Sequence, residues 1–151
     1  MRFLIVAWAL VASASVADAQ SPPDWRAAAI TAGTWSYRDL PTGSEAVFTD
    51  ARVIRRLQVK CSRATRRVTV SVTSATPATS IRVMTTETER VLPAAFDGQG
   101  FQVVAELGPQ DPILDGIAFS RGRFAITVPG GAALVVPVWP EIARSIEDCR
   151  V

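Results

Sequence analysis

The 151-residue chain has no histidine, one lysine and one tyrosine, and only two cysteines. Without histidine it lacks the usual general base, the commonest metal ligand and the usual partner of a serine or cysteine nucleophile. No G-x-S-x-G elbow, P-loop or dinucleotide fingerprint occurs either. A catalyst built from this chain would have to rely on carboxylates, arginine or Lys60. The one close carboxylate pair, Asp111 and Asp115, is spaced i, i+4, whereas acid–base work needs two carboxylates opposed across a substrate. Asp111 reads instead as a helix cap, and Asp115 as an exposed residue near the positive helix end. No catalytic, cofactor-binding or metal-ligating residue is assigned, no cofactor is expected, and enzyme ranks third among the function classes.

Long apolar runs are also scarce. The single one lies in "MRFLIVAWALVASASVADAQS", where Arg2 precedes an apolar stretch and Ala17-Asp18-Ala19 supplies the small-residue pattern of a cleavage site. Residues 1–19 are expected to be a signal peptide, cut between Ala19 and Gln20. A membrane anchor would need roughly 20 apolar residues, and no cysteine adjoins the cut for lipidation. The mature chain is therefore expected to have no transmembrane segment and to be periplasmic or secreted. Residues 20–24, "QSPPD", read as an extended lead-in, because consecutive prolines resist helix and central strand alike. Residues 25–151 are expected to form a single domain, long enough to bury a core of its own.

Within that domain the dominant period is two. Leu57, Val59 and Cys61 alternate with Arg56, Gln58 and Lys60, and Val68, Val70 and Val72 alternate with Thr69, Ser71 and Thr73. Further strands are expected at 34–38, 45–49, 80–86, 90–94, 101–107, 123–128 and 132–137, with turns at "DG" (97–98) and "PGG" (129–131). Two short helices interrupt them. Asp111 and Pro112 open the first, with Ile113, Leu114, Ile117 and Ala118 on its apolar face. Pro140 and Glu141 open the second, with Ile142, Ile146 and Cys149 on one face. The class is α+β, mainly β: an antiparallel sheet or half-barrel with a short internal helix and a C-terminal helix packed against it.

Cys61 and Cys149 both fall on inward faces. In an oxidising compartment they are expected to pair, tying the terminal helix to the middle of the sheet. A redox role would call for C-x-x-C spacing, which is absent.

Charge is segregated along the chain. From 52 to 67 there are seven basic residues and no acidic one, while 87 to 115 carries six acidic residues and one arginine. The two segments could simply pair with each other across the surface. Alternatively, Arg56, Lys60, Arg63, Arg66 and Arg67 form an anion-binding face, suited to lipopolysaccharide phosphates, anionic lipid heads or an acidic partner protein. Nucleic acid is not expected, since no aromatic side chains interleave the basic ones for stacking. Arg121 and Arg123, around Gly122, make a weaker anion-loop candidate, for which a plain turn requiring glycine is the simpler account. Trp35 and Tyr37 share a strand face that could stack on a sugar, although core packing is commoner.

The signal, the N-terminal "TWSY", the "L-x-V-x-C" strand, "DPILDGIAFSRGRFAI" and the closing "WPEIARSIEDCR" together resemble small uncharacterised exported proteins of alphaproteobacteria, of the sphingomonad type. More remotely, a mid-chain cysteine with a C-terminal partner looks like type VI secretion accessory proteins of the VasI/TagO kind. Neither resemblance implies an activity or a functional residue. A non-catalytic exported binding or accessory module is the leading expectation, with an unknown envelope protein or anionic envelope component as its partner. A small periplasmic protease inhibitor, acting through its extended N-terminal arm, is the alternative.

Overall fold

Alternation of apolar and polar residues in an extended chain sends each set to one face, and residues 55–73 do this twice in succession. In the computed structural model, which describes residues 24–151, they form an antiparallel pair with Leu57 opposite Val72, Val59 opposite Val70 and Cys61 opposite Val68. All six of these side chains are buried. The expected signal peptide, its expected cleavage point and all of the expected lead-in except Asp24 lie outside the described residues.

The chain runs β1 (Gly33–Leu40), β2 (Gly43–Asp50), β3 (Arg55–Ser62) and β4 (Arg67–Thr73), then β5 (Ser80–Met84), β6 (Glu89–Pro93), β7 (Ala95–Asp97) and β8 (Gln102–Leu107). Helix α1 (Pro112–Ala118) follows, then β9 (Arg123–Thr127), β10 (Leu134–Pro137) and α2 (Pro140–Glu147). Six strands form one sheet in the order β1-β2-β3-β4-β8-β7, and four form a second in the order β10-β9-β5-β6. Every pairing is antiparallel. The expected α+β, mainly β class is thus the one observed, with its strands divided between two sheets.

One core joins the layers. Phe48, Leu57 and Val70 from the first sheet, Ile81, Leu92, Phe124 and Ile126 from the second, and Ile113, Leu114, Ile117, Ile142 and Ile146 from the helices belong to a single buried cluster. Burying a side chain of this size contributes roughly 1.5–3 kcal/mol, so this shared cluster supplies most of the cohesion between sheets and helices.

Both helices begin as their sequences suggest. The Asp111 carboxylate accepts the Ile113 N–H at 3.0 Å, and Pro112 and Pro140 occupy their first turns. Ser145, a polar residue on the inner face of α2, is fully buried because its hydroxyl donates to the Val59 carbonyl at 3.0 Å. Cys61 and Cys149 are bonded as expected, with Cα atoms 5.4 Å apart and a sequence separation of 88. The close seating of β2 on β3 needs Gly43, where an added Cβ would run into the Cys61 carbonyl oxygen.

A second, smaller cluster lies on the other face of the four-stranded sheet. Trp25, 7% exposed, covers Met84, Ala125 and Val135 there. The start of the described chain is therefore part of the fold and not a free arm. Arg123 holds it down, donating to the Ala28 carbonyl at 2.9 Å, and the Thr31 N–H donates to Val135 at 2.8 Å.

Candidate functional site

The seven basic residues that look like one patch in sequence are drawn apart by the strand between them. Arg56 and Arg63 are seven residues apart, and an extended chain rises about 3.3 Å per residue, so their backbones lie about 23 Å apart. Arg52, Arg55 and Arg56 stand at the end of the sheet where β2 turns into β3. Arg63, Arg66 and Arg67 stand at the opposite end, around the turn from β3 to β4. Lys60 lies between, half-buried and directly across from Glu45. Of the five residues of the expected anion face, Arg63, Arg66 and Arg67 share one end, Arg56 stands at the other and Lys60 lies between them.

At the disulfide end the arginines are engaged. Arg63 pairs with Asp39 and also donates to the Leu40 carbonyl at 2.7 Å. The hydrogen bond to Asp39 holds its guanidinium above the ordinary arginine range. Arg67 meets Glu106 at 2.8 Å, and Arg66 donates to the Arg150 carbonyl at 2.8 Å. Arg150 itself spans α1 and α2, reaching Asp115 and Glu147 at 2.8 Å each and the Pro109 carbonyl at 2.9 Å. Burial would lower its pKa, but the hydrogen bonds and charges of those carboxylates outweigh this and raise it.

Arg90 grips Asp111 with two parallel bonds of 2.6 and 2.8 Å. Burial alone would push the Asp111 carboxyl up. The bonds from Arg90 and the Ile113 N–H win and hold it below the usual carboxylate range. Of these ion pairs only Arg67–Glu106 joins the basic segment to the acidic one. Most of the pairing runs within other neighbourhoods, because the register of the sheets and not the order of the chain decides who meets whom.

The other end is built differently. Asp50 organises the turn: its carboxylate accepts the N–H of Arg52 and of Ile54 at 3.0 Å each, and Arg56 approaches at 3.3 Å. The Ile54 N–H first, then those of Arg52 and the nearby guanidinium charges, hold this carboxyl below its ordinary value. Phe48 faces Leu57 while Thr49 faces Arg55, so Arg56 is the extra residue of a β-bulge, a device that re-aims side chains at a sheet rim. The Arg52 guanidinium is exposed and reaches Asp50 only at 4.0 Å, and among the described residues the exposed Arg55 enters no ion pair. Beside them a cleft of about 230 Å³ opens between the sheets, lined by Arg56, Thr73, Ser74, Thr127, Gly131 and Leu134, among others.

The weaker loop candidate separates into two roles. Arg123 is spent on the N-terminal segment, and Arg121, largely exposed, lies 3.4 Å from Glu87. Gly122 between them has φ +76°, the conformation that favours glycine. Trp35 is buried, its indole N–H donating to the Pro137 carbonyl at 2.8 Å. Tyr37 donates to Asp148 at 2.6 Å beneath the Arg144 guanidinium, 4.1 Å above its ring. The hydrogen bond to Asp148 raises the Tyr37 pKa. Sequence reasoning missed Glu45, which is 5% exposed and takes bonds from Arg38 and Gln58. Only the cross-strand register with Arg38 could have found it.

Comparison with known protein families, with curated proteins and with solved structures returns no match for this chain.

Proposed function

We propose that this protein is a non-catalytic binding or accessory module of the bacterial envelope, exported by its N-terminal signal, that engages an anionic partner. The observation that carries the reading is the exposed pair Arg52 and Arg55 at the β2–β3 turn: Arg55 enters no ion pair among the described residues, and Arg52 has only a long 4.0 Å contact to Asp50, a carboxylate committed to holding the turn. The arginines at the opposite end are already matched by carboxylates or carbonyls, so they contribute less to an anion site than their number suggests. The resemblance of its sequence to small exported alphaproteobacterial proteins agrees with an envelope role.

Binding to immobilised polyphosphate, measured against salt concentration, tests the proposal. Contacts between arginine and a polyanion release counterions, so affinity should fall steeply as salt rises. Arg52→Glu with Arg55→Glu should remove the binding, whereas Arg63→Glu with Arg66→Glu should leave most of it. Binding that ignores salt, or that survives the first pair and not the second, would overturn the assignment.

A further inference from the structure

We infer that the loop end of the molecule docks on an anionic lipid bilayer, with Val53, Ile54 and Phe101 entering the headgroup boundary and Arg52 and Arg55 meeting lipid phosphates. The inference rests on the anion-binding reading above and names the source of the anions.

Register places the turns together. Gly33 faces Asp50, Thr73 faces Gln102 and Asp97 faces Gln102 in the same sheet. The β2–β3 turn, the end of β4 and the β7–β8 turn therefore share one rim. The turns hold two non-glycine residues in the left-handed region, Val53 at φ 63° and Phe101 at φ 51°. Glycine or asparagine is the ordinary occupant of such a position, and a β-branched residue there is an outlier. Both side chains are also exposed, Val53 by 84% and Phe101 by 60%, and Ile54 beside Val53 is 42% exposed. Strain and exposure coincide at each tip. The third such residue, Arg66 at φ 52°, lies at the opposite end and carries a charge, as a solvated turn would.

The spacing of the tips points to a flat partner. Three strand separations lie between the two turns, which puts them about 14 Å apart. A planar boundary receives both tips at once without a pocket. Charge agrees: the loops on this rim, 50–54, 74–79, 97–101 and 128–132, hold two carboxylates, and each accepts backbone N–H groups of its own turn, Asp50 from Arg52 and Ile54 and Asp97 from Gln99. The Val53–Ile54 tip, flanked by Arg52 and Arg55, matches the interfacial layer of an anionic membrane, where each basic residue near the surface adds roughly five-fold to binding, and Phe101 adds a second apolar tip beside it.

The test uses the mature, disulfide-bonded chain with vesicles of phosphatidylglycerol and phosphatidylethanolamine, vesicles of phosphatidylcholine, and soluble polyphosphate. The wild type should sediment with the anionic vesicles and not with phosphatidylcholine. Val53→Ser with Phe101→Ser should weaken vesicle binding about ten-fold or more and leave polyphosphate binding unchanged. Arg52→Glu with Arg55→Glu should weaken both. Val53→Gly, which suits the turn, should also weaken vesicle binding and so separates lost contact from misfolding. If the apolar variants bind vesicles as the wild type does, or if polyphosphate binds and anionic vesicles do not, membrane docking is wrong while the anion reading stands. If neither probe binds, both fall.

Discussion

The two ends of the six-stranded sheet carry similar numbers of arginines and use them in opposite ways. At the disulfide end, Arg63, Arg67 and Arg150 each meet a carboxylate, Arg66 caps a carbonyl, and the Cys61–Cys149 bridge fastens α2 beside them. At the loop end, Arg52 and Arg55 reach into solvent among apolar tips, and the one buried carboxylate is used to shape a turn. A charge that has a partner in the fold supports the fold. A charge without one is available to something else. One end therefore reads as structure and the other as surface for a partner.

The strongest way to test this contrast is to cut the bridge. Cys61→Ala or Cys149→Ala opens an 88-residue separation, which in the loop-entropy model lowers stability by about 4.6 kcal/mol. The double variant should be little worse than either single one, since both remove the same bond. Urea unfolding measures this, and clearly additive losses would show the two cysteines acting independently.

Next in size is Asp111→Ala, which removes both the α1 cap and the Arg90 pair. Loss of such a cap costs about 1–2 kcal/mol. The same interaction makes stability depend on acid. The Asp111 carboxyl is held below the ordinary aspartate value of 3.8, so the folded chain binds fewer protons than the unfolded one in that range. Its contribution is complete above 3.8 and disappears as pH falls through the lower folded value. The wild type and Asp111→Ala should accordingly converge in urea midpoint at low pH. A gap that stays constant would contradict the assigned role of this carboxylate.

The loop end should respond with the opposite sign. Val53→Gly relieves a left-handed β-branched residue that makes no buried contact, and is expected to stabilise the protein by about 1 kcal/mol. A loss of stability on this substitution would mean that Val53 supports the fold. The smallest effect belongs to Tyr37→Phe, which deletes the bond to Asp148 at 2.6 Å. A hydrogen bond open to solvent on one side contributes about 1 kcal/mol, and thermal melting should show a drop of a few degrees.

The alternation in 57–61 and 68–72 was enough to identify β3 and β4, because a half-buried strand leaves its period in the residue types. The cap at Asp111 and the proline starts of both helices were equally plain, since they depend on neighbours in sequence. β7 was invisible: three residues, Ala95–Asp97, carry no period, and only pairing with β8 makes them a strand. Ser145 and Glu45 were missed for a related reason. Their burial depends on the Val59 carbonyl and on Arg38, partners supplied by other elements.

Residue chemistry by itself determined the class of fold, the two helix starts and the inward placing of both cysteines, because periodicity and capping act over a few residues. Tertiary structure alone decided which arginines are closely paired and which are left exposed. A run of basic residues that is continuous in the chain became two clusters because the segment between them is an extended strand, and the partners of each cluster were set by sheet register across residues far apart in sequence. Position along a chain fixes the number of charges. Their availability depends on what the fold brings within a few ångströms.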